Sequence, residues 1–303
     1  TSLNYFSLKG IEVIIDDMRD YFIKSKGRKL FYPAIDYYNV SEEDINLLKN
    51  SNSYLLTWGI EFHDAVADCP LWVLESNMQK PNDLWIEFLR ANVEHVISTP
   101  QIIAESEFNF APCQGRKFDI SIPGAPYYHR RMARKELKKL GRNYRIGRSN
   151  QGLLQKIWNQ LFKMNNRYAF NLNKTNFEGN LENSKIIFTC GGTLNYPIRK
   201  FLEAPAKGSM LIFFPFKGHQ NFGFKDKENC IITENVSDLN SKVKFYLSNG
   251  ILMDRIARSG QKLIWEKHTI ERRAGQISKC LDLISKESFR GSEWKDGEFI
   301  CRS

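Results

Sequence analysis

No stretch of this 303-residue chain approaches the about 18 consecutive apolar residues that span a bilayer, and the first thirty residues lack a signal peptide's apolar core. A membrane-spanning or secreted protein is thereby excluded as the expectation, and a cytoplasmic location is expected. The six cysteines (Cys69, Cys113, Cys190, Cys230, Cys280, Cys301) are far apart, and no two stand in C-x-x-C spacing. That removes zinc-ribbon and thioredoxin-like readings and leaves reduced thiols. Five dispersed histidines offer no close pair, so a metal site built from His pairs is not expected; no other cofactor is expected either. A basic tail is missing, as is any interleaving of basic and aromatic residues in a nucleic-acid-binding motif, and no nucleic-acid partner is expected.

What is present is an ordinary ordered composition, 42% hydrophobic and 26% charged, with a formal net charge of +10. An excess of Lys and Arg favours phosphorylated small molecules, other polyanions or peripheral contact with an anionic membrane. The densest basic stretch is His129–Arg148. The chain opens on Thr1 without Met, as a trimmed chain or an excised domain would.

The length suggests two domains at about 100–200 residues each. Ile11–Ile15, Leu30–Ala34, Tyr54–Trp58, Leu71–Leu74 and His95–Ser98 are short, rich in β-branched or aromatic residues, and read as buried strands. Helical patterns lie between them, one opening at Ser41 and one over Asp83–Arg90. Phe108–Lys117 breaks the rhythm and reads as the connection. The second half repeats it with strands at Phe118–Ile122, Asn143–Ile146, Lys185–Thr189, Met210–Phe214 and Cys230–Thr233. Its helices are expected over Tyr128–Leu140, Gly152–Met164, Tyr196–Ala206 and Leu239–Leu247, with long amphipathic helices from Leu252 to Ile284. The fold class is therefore α/β, with two Rossmann-like domains, 1–113 and 114–285, whose parallel sheets face a cleft.

Three segments carry more than fold. Asp119-Ile-Ser-Ile-Pro-Gly124 is a strand entering a glycine loop, followed by Arg130 and Arg131 at the start of a basic helix, an arrangement that suits phosphate or a solvated surface. In Ile186–Gly208, Gly191 and Gly192 permit close backbone approach, and Pro197 suits the first turn of a helix carrying Arg199 and Glu203. These two residues are spaced for an i,i+4 ion pair as well as for ligand contact. In Asn221–Asn229, Phe222, Gly223 and Phe224 either pack over a ligand or plug the core.

The run from Ser184 to Leu283 resembles the C-terminal domain of group 1 glycosyltransferases, most closely the spore-maturation-protein-like branch. The resemblance rests on Asn183-Ser184-Lys185, Arg199-Lys-Phe-Leu-Glu203-Ala with Gly208, Gly223-Phe224 with Asn229, and Lys267-His268-Thr269 with Arg272 and Arg273. It extends to Asp119–Ile122 with Gly124 and a following Arg. It implies a GT-B transferase taking a nucleoside diphosphate sugar in the C-terminal domain and a glycan or lipid-linked glycan acceptor in the N-terminal one, with residues 286–303 crossing back. By position, Glu203 looks like the acceptor of ribose hydroxyl hydrogen bonds. Gly124 with Arg130 or Arg131 looks like the phosphate-side loop, and Gly192, Thr193, the Tyr196 helix start and Arg199 like the rest of the cradle, with Gly223 and Phe224 beside it. His268 is expected to join the last helices to that domain. Asn195 stands where many relatives carry another Glu, eight positions before Glu203. A catalytically inactive binding module of the same architecture is the alternative. Candidate general bases at strand ends are His63 and Glu75, ahead of Asp16, Asp17 and Asp64.

Overall fold

The computed structural model describes residues 4–8, 11–15, 29–32, 41–43, 45–46, 53–57, 83–124, 128–141, 144–147, 175–191, 197–216 and 218–303. Two five-stranded sheets organise them. The first runs in chain order: β1 (Asn4–Leu8), β2 (Ile11–Ile15), β3 (Lys29–Tyr32), β4 (Ser53–Thr57) and β5 (Val96–Ser98). β1 is antiparallel to β2, and the other neighbours are parallel, with Val13 opposite Leu30 and Leu55 opposite Val96. Helix α1 (Asp83–Ala91) precedes β5, whose three residues are all buried.

The second sheet is parallel throughout and is ordered β10-β9-β8-β6-β7. Its strands are β6 (Phe118–Ser121), β7 (Ile146–Gly147), β8 (Ser184–Thr189), β9 (Met210–Phe213) and β10 (Ile231–Ile232). In β8 the consecutive Ile186, Ile187 and Phe188 have no exposed surface, because helices cover both faces of a parallel sheet. Each such side chain stabilises the fold by about 1.5–3 kcal/mol on burial. Around the sheet lie α2 (Tyr128–Leu137), α3 (Lys200–Ala206), α4 (Leu239–Ser248), α5 (Gly250–Lys267) and α6 (Ile270–Ser285).

Arg116 fastens the start of this unit. Its buried guanidinium donates to the carbonyls of Ser184 (3.1 Å), Ala111 (2.9 Å) and Lys207 (2.7 Å) and to Ser209 Oγ (2.9 Å). Gly208 makes room for it: φ there is +75°, and a Cβ would lie 2.9 Å from Arg116 Nη2.

After α6 the chain forms a hairpin, β11 (Ser292–Lys295) and β12 (Glu298–Cys301), which reaches the first sheet. Ser98 N donates to Ser292 Oγ (2.8 Å), and Trp294 Nε1 donates to Ser98 O (3.2 Å). Trp294 is buried between His268, stacked at 5.0 Å, and Arg273, whose guanidinium lies 4.4 Å from the ring centre. His268 Nε2 bonds Phe222 O (3.0 Å), so His268 does join the last helices to the second unit. Burial holds its imidazole down at a pKa of about 3 and lowers that of Arg273 to about 9.

The strands Leu71–Leu74 and the helix Gly152–Met164 expected from sequence lie outside the described residues. β1 was not anticipated from the sequence. Helix α3 begins at Lys200 rather than Tyr196: Ile198 O is bonded by Phe201 N, and Arg199 O by Leu202 N and Glu203 N, so Pro197 precedes the helix instead of sitting in its first turn.

Candidate functional site

β6 and β8 are neighbours, with Ser121 opposite Ile187. The sheet reverses its winding between them, since β7 lies beyond β6 and β9 and β10 beyond β8. Connections that depart in opposite directions leave a crevice outside the strands' carboxyl ends, the usual ligand position in an open parallel sheet. Here those ends lead into Ile122-Pro123-Gly124 and Cys190-Gly191.

Helix α2 grips both loops from one face. Arg130 donates through Nη2 to Cys190 O (3.2 Å), and Arg134, one turn later, donates through Nη2 to the carbonyls of Ile122 and Gly124, both at 2.8 Å. Lys200, the first residue of α3, reaches into the same place. At Gly124, where φ is +98°, a Cβ would lie 2.7 Å from Lys200 Cε, 3.0 Å from its Nζ and 3.1 Å from Arg130 Nη1. The glycine loop and the guanidinium, six positions apart, and the ammonium, seventy positions beyond the guanidinium, are thus one cluster.

Crowding and burial mark the electrostatics. Burial, reinforced by the positive charge of Arg130, lowers the Lys200 pKa to about 8, with Glu203 and Cys190 acting in opposition. Burial and Arg130 also lower Arg134. Burial raises Glu203 above the ordinary carboxylate range against the pull of Arg199 and Lys200. His129 stacks on Phe214 at 4.4 Å and is lowered by burial.

Glu203 makes the i,i+4 pair that its spacing permits, accepting from Arg199 Nη1 at 2.5 Å. Arg199 also binds Glu107, ninety-two positions away, through Nη2 at 2.5 and 2.7 Å. Arg130 and Arg131 separate clearly: Arg130 is 1% exposed and directed at Cys190, whereas Arg131 is exposed.

Two expectations need correction. Phe224 does not offer its ring to a ligand: it is 1% exposed and packs in an aromatic cluster with Phe201, Phe213 and Phe216. Gly223 abuts the hairpin, where a Cβ would lie 3.0 Å from Gly297 Cα. The late start of α3 also leaves a seven-residue helix, whose dipole offers an anion far less than the two cations beside Gly124 do. Gly192, Thr193, Tyr196, Asn195, His63, Glu75, Asp16, Asp17 and Asp64 lie outside the described residues.

Sequence reasoning missed Lys200, Arg134 and Glu107. A signal existed for the first two, since Arg134 stands four positions after Arg130, and Lys200 three before Glu203. Glu107 carried none. Among the described residues, no group of three or more His, Cys, Asp or Glu is placed to hold a metal ion, and no helix is long and apolar enough to cross a membrane.

Residues 116–279 match the model of a family described as glycosyl transferase-like. No curated protein matches the chain. Among solved structures, Alr3699/HepE of Anabaena, crystallised in complex with UDP, superposes with a TM-score of 0.57 at 11% identity, covering 89% of this chain and 78% of that one. The sucrose-phosphate synthase of Thermosynechococcus elongatus gives 0.51 at 10% identity, covering 89% and 71%. A glycosyltransferase of Rickettsia africae gives 0.51 at 11%, covering 86% and 71%. These likenesses establish the GT-B architecture of two α/β units.

Proposed function

The chain belongs to the glycosyl transferase-like family, and from that premise we propose that it binds a nucleoside diphosphate sugar in the crevice between β6 and β8 and transfers the sugar to a hydroxyl of a glycan or lipid-linked glycan. The observation that carries this is the convergence of the Gly124 loop with Arg130 and Lys200 at the switch point of the second sheet. The buried Arg130 guanidinium and the half-buried Lys200 ammonium repel each other, and a diphosphate between them relieves that repulsion. The positive φ and missing side chain of Gly124 let its backbone approach the phosphates.

Cleaving the glycosyl–phosphate bond places negative charge on the departing diphosphate. Arg130 is anchored on Cys190 O before reaction and the Lys200 side chain lies beside it, so the pair stabilises that charge with little reorganisation, an effect worth a few kcal/mol per well-aimed donor. They supply the positive charge that a divalent ion provides in other transferases, so turnover is expected to survive a chelator. Glu203, three residues beyond Lys200, accepts the ribose hydroxyls. Gly192, Thr193 and Tyr196 complete the cradle, and His63 or Glu75 removes the acceptor's proton.

The Anabaena protein has been crystallised in complex with UDP-glucose, which makes UDP-sugars the first donors to try. Incubation with UDP-, GDP- and dTDP-sugars, following donor hydrolysis, transfer and thermal shift, tests the proposal. Stabilisation by a donor together with slow hydrolysis or transfer is expected. Stabilisation with neither, whatever the acceptor, would favour a binding module, and no interaction with any of them would remove the donor site.

A further inference from the structure

Every nitrogen of the Arg199 guanidinium is engaged, and the partners come from two parts of the molecule. Nη1 donates to Glu203 Oε1 at 2.5 Å, within α3. Nη2 donates to both oxygens of Glu107 at 2.5 and 2.7 Å, and Nε donates to Ile102 O at 3.3 Å. Ile102 and Glu107 lie on the segment that runs from β5 to β6, between the two sheets. Glu107 is itself fixed, its Oε1 accepting from Ala104 N at 2.9 Å.

A surface ion pair one helical turn apart needs none of this. Such pairs add a few tenths of a kcal/mol and tolerate many geometries. A planar guanidinium bridging two carboxylates and a carbonyl permits one geometry, because its donors point in fixed directions. Burial, meanwhile, raises the Glu203 pKa, so that carboxylate needs a counter-charge to remain an acceptor.

We propose that Arg199 is a positioning residue for the donor: it holds the Glu203 carboxylate oriented to receive ribose hydroxyls, and through Glu107 it ties that carboxylate to the segment joining the two sheets. The proposal rests on Glu203 being the ribose acceptor. Its consequence is that Glu107, on a different segment from α3, influences how well the protein distinguishes a ribose from a deoxygenated sugar.

The test measures Kd by calorimetry for UDP, GDP and ADP and for their 2′,3′-dideoxy counterparts, on the full chain and on E203Q, R199M, E107Q and K200M variants, with thermal melting as a check on folding. The readout is the ratio of dideoxy to ribo Kd, which a purely structural role would not move. The wild-type ratio is expected to be about tenfold or more, as for loss of hydrogen bonds to a charged acceptor. E203Q, whose neutral amide oxygen still accepts but more weakly than a carboxylate, should lower it, as should R199M and E107Q, each to less than about a third of the wild-type value in folded protein. K200M should weaken both ligands together and keep the ratio. R199K provides a second variant should R199M fail to fold: one ammonium cannot span both carboxylates, so the ratio should still fall. If folded R199M or R199K and E107Q keep the wild-type ratio while E203Q loses it, the positioning role is wrong and the ribose assignment stands. If E203Q keeps the ratio, or none of the three nucleotides binds, the donor assignment itself fails.

Discussion

Gly124 and Lys200 touch so closely that a methyl group on the glycine would lie 2.7 Å from the lysine's Cε. Gly124→Ala is therefore expected to push the flexible end of Lys200 aside and to add roughly 1 kcal/mol of backbone strain at a positive φ. Because the displaced atoms end a long side chain, melting should shift by only a few degrees, while affinity for a nucleoside diphosphate should fall about tenfold. Unchanged affinity would mean that the loop does not face the phosphates.

Arg130 and Arg131 are adjacent but not equivalent. Loss of charge at Arg130 should weaken nucleoside diphosphate binding far more than nucleoside binding, because the buried guanidinium lies at the glycine loop. Arg131→Ala, on the exposed side of α2, should change neither by more than about twofold, in line with surface substitutions of under about 0.5 kcal/mol. Equal losses at both positions would argue for diffuse attraction by the net charge.

Binding should depend on pH at both ends. Lys200, with its pKa lowered to about 8, carries its charge below that value and loses it above, so diphosphate affinity should decline as pH rises through about 8. Lys200→Met should flatten that limb. For stability the sign is opposite: between about 8 and its ordinary value the unfolded chain holds a proton that the native site has released, so this group's penalty is present at lower pH and fades as pH rises. Glu203, raised by burial, gains its proton earlier than an exposed carboxylate as pH falls, which sets the acid limb for ribose recognition. Calorimetric titrations across pH on wild type, Lys200→Met and Glu203→Gln separate the two limbs.

Trp294 joins the terminal hairpin to Ser98 and to His268 and Arg273 while fully buried. Trp294→Ala should destabilise the protein by about 3–5 kcal/mol in urea unfolding. Trp294→Phe, which loses the indole hydrogen bond and part of the ring, should cost less. A near-neutral alanine variant would mean that the hairpin is not part of the cooperative unit.

Much of this architecture is legible in the chain because short β-branched runs such as Ile186–Phe188 and helical spacing such as that after Gly250 repeat in alternation. The switch-point loops were also legible, since Gly124 and Gly191 end strands. Three features were not. β1 is a short antiparallel edge strand whose sequence gives little periodicity. Phe224 could equally plug a core or cover a ligand, and only the packing of Phe201, Phe213 and Phe216 around it decides for the core. Glu107 meets Arg199 across ninety-two positions, a contact set by how the segment between the sheets runs past α3 rather than by any local pattern.

The central claim is that a diphosphate sits beside Gly124 with Arg130 and Lys200 while its ribose meets Glu203. A crystal structure of the protein soaked with UDP, or with whichever nucleoside diphosphate stabilises it most, addresses this directly. Phosphate oxygens within hydrogen-bond distance of Lys200 Nζ and ribose hydroxyls at Glu203 are the result expected. A nucleotide bound elsewhere, or a crevice left empty at saturating concentration, would contradict it.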